Sequence, residues 1–166
     1  MLQQQSSLVN TNRVSRRRFV AGTGAALALT AVSPELARGY SANKKVTIGN
    51  VGCGGRGVWI ADLFQQHSGY QIVGAADYFQ QRVDNLGNKF QVNQSNRFTG
   101  LSGYKRLLDL KPDAIVIESP PYFHPDQTWD AVDAGCHAFV AKPIAVDVPG
   151  CLRFLEAGKR ATEKQR

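Results

Sequence analysis

Four clusters in this sequence combine residue types and spacings that could do chemistry. The first is Lys45–Gly57, KVTIGNVGCGGRG, in which Gly52, Gly54 and Gly57 fit G-x-G-x-x-G and Gly55 lies in the same loop. In that spacing the first glycine makes a tight turn, the second lets backbone approach a pyrophosphate, and the third lets helix and strand pack closely. Phosphates held there face free N–H groups at a helix N-terminus, where the helix dipole favours negative charge. The second cluster is Asp77, which ends the apolar run YQIVGAAD 20 positions past Gly57. That distance suits a carboxylate accepting hydrogen bonds from an adenosine ribose. The third is Ser119-Pro120 with His124, and the fourth is Lys142-Pro143; each follows an apolar run. Ligands of open α/β sheets bind at the carboxyl ends of such strands.

The elements needed to position these groups alternate along the chain. A strand over 45–51 runs into the glycine loop, and a helical pattern begins at Val58. Tyr70–Asp77 reads as the second strand, followed by a helix with Val83, Leu86 and Phe90 on one face. Residues 91–97 are a polar loop before a short third strand at Phe98-Thr99, and Tyr104–Leu110 is a short helix closed by Lys111-Pro112. Asp113–Glu118, DAIVIE, has the length and β-branching of a buried parallel strand. Asp126–Ala134 is helical with Gly135 as C-cap, and His137–Ala141 is the fifth strand. Asp147 caps a last helix that carries Leu152, Leu155 and a Glu156–Arg160 pair. Strands alternating with helices predict a Rossmann-type, doubly wound parallel sheet of the α/β class.

Composition narrows the function classes. The net charge of +7 divides into +4 over residues 1–42 (five arginines, one acid) and +3 over 43–166 (15 basic, 12 acidic residues). The second part has no basic stripe, which speaks against nucleic acid as a partner. Cys53, Cys136 and Cys151 are odd in number and form no C-x-x-C, so neither a disulfide framework nor a metal site is indicated. Cys53 is either a small filler of the tight turn or a thiol whose pKa a helix N-terminus lowers.

Residues 1–42 read as a signal and linker, and 43–166 as the nucleotide-binding domain. Ser15-Arg16-Arg17-Arg18-Phe19-Val20 precedes a weakly apolar run, Phe19–Val32, of 14 residues. This resembles a twin-arginine export signal. The run is shorter than the roughly 20 residues of a bilayer span, so no stable membrane span is expected. The expected destination is the periplasm.

Ser119-Pro120 with His124, Ala134-Gly135, His137 and Lys142-Pro143-Ile144-Ala145, with Tyr104 and Leu107-Leu108 ahead of them, resemble the N-terminal domain of the glucose–fructose oxidoreductase/inositol dehydrogenase (Gfo/Idh/MocA) family. Arg82, five residues after Asp77, also fits. The resemblance covers roughly residues 44–165. It implies that Gly52, Gly54, Gly55 and Gly57 cradle the pyrophosphate of NAD and that Asp77 holds the adenosine ribose. As an anion there Asp77 would repel a 2′-phosphate, whereas Arg82 could accommodate one, so NADP stays open. The resemblance further implies that Ser119, Pro120 and His124 line the sheet edge near the nicotinamide. Lys142 would be the catalytic group, its ammonium meeting the substrate's reacting oxygen. Two departures stand out. Ala141 replaces the glutamate of Glu-Lys-Pro, and Ser119 stands for threonine.

The activity implied is oxidation of a sugar or polyol by NAD(P). Family members continue into a second α/β domain, so this chain is expected to be a truncated fragment with little activity alone. Two alternatives remain: a stand-alone nucleotide-binding module that needs an oligomer or partner chain, and a relative that uses NAD transiently to cleave glycosides. The signal is testable directly. Residues 1–42 fused to a reporter should direct export, and the double change Arg16→Lys/Arg17→Lys should abolish it; export that survives the change would rule out the twin-arginine route.

Overall fold

This computed structural model describes residues 44–166; the arginine signal and apolar run at 1–42 lie outside the described residues. Five strands form one parallel sheet: β1 (Val46–Val51), β2 (Tyr70–Asp77), β3 (Arg97–Thr99), β4 (Ala114–Ile117) and β5 (His137–Val140). Their spatial order is β3-β2-β1-β4-β5. The helices are α1 (Gly55–Gln66), α2 (Gln80–Lys89), α3 (Gly103–Leu108), α4 (His124–Asp133) and α5 (Val148–Glu163). The chain winds outward from β1 to β3, then returns to start β4 on the other side of β1. Strand order reverses between β1 and β4, and the carboxyl ends of those two strands are where such sheets hold ligands.

Both faces of β1, β2 and β4 are covered, as a parallel sheet requires, while the edge strand β5 stays largely exposed. Ile48, Ile72 and Val116 on one face meet Ile60 and Ala61 of α1 and Val83 and Leu86 of α2. Val51, Ile115 and Ile117 on the other meet Leu107 and Leu108 of α3 and Ala131 of α4. One fit is specific. Gly49 and Gly74 are register partners across β1 and β2, beside an irregularity where β2 carries one extra residue. Leu107 fills the space they leave, its Cγ 3.1 Å from where a Cβ on Gly49 would lie. A side chain at Gly74 would displace the leucine, and one at Gly49 would first meet Ile115 Cδ1, at 2.8 Å.

Element boundaries differ from the sequence reading for local reasons. Helix α4 begins at His124 instead of Asp126, with Pro125 in the first turn, where its missing N–H is not needed. Helix α3 stops at Leu108, two residues short of Leu110. Strand β3 includes Arg97, paired with Ala75. The Glu156–Arg160 pair does not form. Arg160 reaches across to Asp133 at the end of α4, and Glu156 pairs with Lys159 at 2.7 Å. Packing of α5 on α4 explains the change, because Asp133 also accepts from Lys164 at 3.0 Å and the guanidinium groups of Arg153 and Arg160 both lie over the Trp129 ring. Leu152 and Leu155 of α5 remain 59% and 54% exposed, and only Ala157 of that helix is buried. Asp147 caps α5 as expected, accepting from the Gly150 N–H at 2.7 Å. No described helix is long and apolar enough to cross a membrane.

Asp113 pins the start of the sheet. Its Oδ2 accepts from the Thr47 N–H at 2.8 Å and the Thr47 hydroxyl at 2.7 Å, and these bonds hold its pKa below the usual carboxylate value, the Thr47 N–H contributing most. A carboxylate depressed by folding stabilises above its unfolded pKa, and the contribution is lost as pH falls through the folded value. Asp113→Asn should therefore lower the melting temperature by about 2–4 °C at neutral pH, allowing for the site's exposure. Thermal melts should converge with wild type as acid takes the pH through the depressed pKa of Asp113; a gap unchanged at low pH would contradict the assignment.

Candidate functional site

A cleft of about 650 Å³ opens at the carboxyl edge of the sheet, over the ends of β2, β1 and β4. Its floor is the turn from β1 into α1. The chain reverses at Gly52 with φ +88°, a left-handed conformation that L side chains rarely adopt. A Cβ there would also lie 2.6 Å from the Glu118 carbonyl oxygen, while one on Gly57 would collide with the Gly52 carbonyl. Gly54 and Gly55 differ. A Cβ on Gly54 would meet only Arg82 Nη1, at 3.8 Å, and one on Gly55 would meet nothing within 4 Å. Two glycines are thus closed in by the protein and two face open space in the cleft. Helix α1 has no side-chain cap and no acid in its first turn, so its leading N–H groups are unsatisfied by its own side chains. Asn50, fully buried, braces the turn by donating to the Gly52 carbonyl at 3.0 Å.

Asp77 closes one end of the cleft. One carboxylate oxygen accepts from the Cys53 N–H at 2.7 Å and the other from the Phe79 N–H at 2.9 Å. Each oxygen keeps a second lone pair for a hydroxyl donor. The Arg82 guanidinium lies over the Phe79 ring at 4.8 Å, beside Asp77 in the same wall. At the other end Ser119 and Pro120 line the cleft, with the Ser119 hydroxyl donating to Gln127 Oε1 at 2.6 Å.

Two expected site residues stand elsewhere. His124 does not line the edge near a ligand: it is fully buried, with Nε2 2.7 Å from the Ser119 carbonyl and Nδ1 2.9 Å from the Pro143 carbonyl. Its position at the start of α4 turns the ring inward, where it joins the end of β4 to the segment after β5. Lys142 is exposed just past β5 and is absent from the cleft lining. Cys53 resolves to the filler reading: it is buried under the turn, and burial, then the Asp77 charge, push its pKa up to about 12. Among the described residues no three His, Cys, Asp or Glu side chains gather as a metal site.

The sequence reading passed over Arg56 and Glu118 as cleft residues and named Tyr104 only as part of the family pattern. Arg56 and Glu118 form an ion pair across the cleft, Nε to Oε2 at 2.8 Å, and Tyr104 donates from the α3 side to Asp130 at 2.7 Å. Burial and Asp130 raise the Tyr104 pKa. The only sequence signal for Glu118 was an acid at the end of an apolar strand. The signal for Arg56 was its place inside the glycine loop.

Comparison with known proteins agrees with this geometry. The model of the Gfo/Idh/MocA oxidoreductase family, NAD-binding Rossmann fold, matches residues 46–164. Glycosyl hydrolase family 109 protein 1 of Akkermansia muciniphila is 32% identical over 117 residues, covering 66% of this chain and 24% of that protein. The alpha-N-acetylgalactosaminidase of Shewanella oneidensis is 25% identical over 173 residues, covering 90% of this chain and 38% of the relative. Among solved structures, myo-inositol 2-dehydrogenase from Lactobacillus plantarum superposes with a TM-score of 0.61 at 26% identity, over 70% of this chain and 33% of that one. The WlbA dehydrogenase from Bordetella pertussis, solved with NADH and UDP-GlcNAcA, gives a TM-score of 0.63 at 24% identity, over 72% and 34%. The chain thus spans about a quarter to two-fifths of the length of these proteins.

The two kinds of glycine should separate experimentally. Gly52→Ala and Gly57→Ala meet backbone and should cost about 2 kcal/mol or more in chemical denaturation. Gly54→Ala should leave the midpoint within about 1 kcal/mol but weaken a ligand seated in the loop by about tenfold. A Gly54→Ala protein that binds NADH as wild type does would show that the loop is not the phosphate cradle.

Proposed function

We propose, for a chain that belongs to the Gfo/Idh/MocA oxidoreductase family, that its cleft holds NAD and that it carries the cofactor-binding half of an exported sugar or polyol oxidoreductase. The observation that carries this is the glycine loop at the point of strand reversal: closed by backbone below, open at Gly54 and Gly55 above, and set against uncapped N–H groups of α1. The open space beside Gly54 and Gly55 fits a pyrophosphate, and the Asp77 carboxylate fits ribose hydroxyls.

When bound, the dinucleotide supplies hydride chemistry at its nicotinamide ring; the protein supplies binding, orientation and electrostatics. In this chain the glycine loop and the α1 N-terminus seat the phosphates. Asp77, fixed by the Cys53 and Phe79 N–H groups, accepts from the adenosine ribose and disfavours a 2′-phosphate. Arg82 moderates that preference from the same wall. Lys142, exposed at the carboxyl end of the neighbouring strand, is the candidate for the substrate-facing charge.

A second reading is favoured by the named relatives. Their names, glycosyl hydrolase family 109 protein and alpha-N-acetylgalactosaminidase, support glycoside cleavage, for which bound NAD would supply transient redox chemistry with no net oxidation.

Titration with NADH and NADPH, followed by fluorescence and melting temperature together, tests the reading. NADH should bind and raise the melting point, NADPH should bind about tenfold more weakly, and Asp77→Asn should narrow that gap. The purified chain should neither reduce NAD with myo-inositol nor release nitrophenol from an aryl N-acetyl-α-galactosaminide. Sustained NADH formation would show a complete dehydrogenase; nitrophenol release at constant NADH would establish the glycosidase reading instead.

A further inference from the structure

We infer that Glu118 is a cofactor-binding residue whose Oε1 accepts a hydrogen bond from a hydroxyl of the nicotinamide-side ribose. This rests on the dinucleotide reading above and extends it to a residue outside the family pattern described here.

The Glu118 side chain is 0% exposed, while its partner Arg56 is 53% exposed. Oε2 is satisfied by Arg56 Nε at 2.8 Å. Oε1 is buried and has no hydrogen-bond partner among the described residues. A buried carboxylate oxygen without a donor is costly, so it calls for a donor that the protein itself does not provide. Glu118 lines the cleft, and its backbone abuts Gly52, which sets the residue beside the glycine loop.

Sheet order identifies which part of a dinucleotide would reach it. Three anchor points lie across the strands β2-β1-β4: Asp77 at the end of β2, the glycine loop beyond β1, and Glu118 beyond β4. With the adenosine ribose at Asp77 and the pyrophosphate at the loop, the next group along the molecule, over β4, is the nicotinamide ribose. A carboxylate repels phosphate and welcomes a hydroxyl, and that ribose carries two. Arg56 holds the carboxylate in place, and its remaining N–H groups stay available to the phosphates.

The competing possibility is that Glu118 serves only to hold Arg56. ADP separates the two, because it has the adenosine ribose and both phosphates and lacks the nicotinamide ribose. Calorimetric titration of the full chain with NADH and with ADP should be run on wild type, Glu118→Gln and Glu118→Ala. Glu118→Gln keeps the shape should the alanine variant fail to fold. Both variants should lose about tenfold or more in NADH affinity and hold ADP affinity within about twofold. Equal losses for both ligands, or unchanged NADH binding, would overturn the assignment. Wild-type protein that binds neither ligand would overturn the dinucleotide reading itself, and this assignment with it.

Discussion

The structure depends on one close approach: the backbone at Gly52 has the end of β4 on one side and Gly57 on the other, with no room for a side chain at either glycine. This contact brings the start of α1 against the ends of two strands. It sets where the helix dipole points, how near Glu118 comes to the cleft, and where Asn50 must sit to brace the turn. Packing at this density leaves no alternative arrangement with a Cβ present. The same principle recurs lower in the sheet, where the glycine pair Gly49 and Gly74 receives Leu107.

Asp77 links that contact to the binding wall. A strand-end carboxylate bonded to the N–H groups of Cys53 and Phe79 couples the position of β2 to the glycine loop. It also sets the surroundings of the Cys53 thiol. Buried beneath the turn and next to a negative charge, the thiol is stabilised in its neutral form despite lying at a helix start. Helix dipole effects are modest and fall off within a turn, so burial and a fixed carboxylate outweigh them here.

Polar groups on the β4 side divide into structural and available ones. His124 is spent on two carbonyls and Ser119 on Gln127. Glu118 is half-used, which distinguishes it from its neighbours. On the far margin, the edge strand β5 and helix α5 leave Phe139, Leu152 and Leu155 exposed, and the contacts of α5 with α4 include ion pairs to Asp133 and Asp126 and the Trp129 ring.

The sequence by itself determined the order of elements, the parallel sheet, the glycine loop and Asp77. Those depend on short-range facts: apolar runs, strand-to-helix alternation and the spacing of residues that act within one βαβ unit. Tyr70–Asp77 was legible to the residue because both of its ends are marked by a change in polarity. Tertiary structure decided the rest. Whether Arg160 pairs with Glu156 or Asp133 depends on the packing of α5 against α4, and local spacing favours the wrong partner. His124 reads as a site residue from its neighbours, yet its ring direction depends on where the Pro143 carbonyl arrives, 19 residues later. The Arg56–Glu118 pair joins residues 62 apart, and no local pattern announces it. Contacts between elements distant in sequence are fixed by how the layers dock, and that docking is written in the whole core, not in any one stretch.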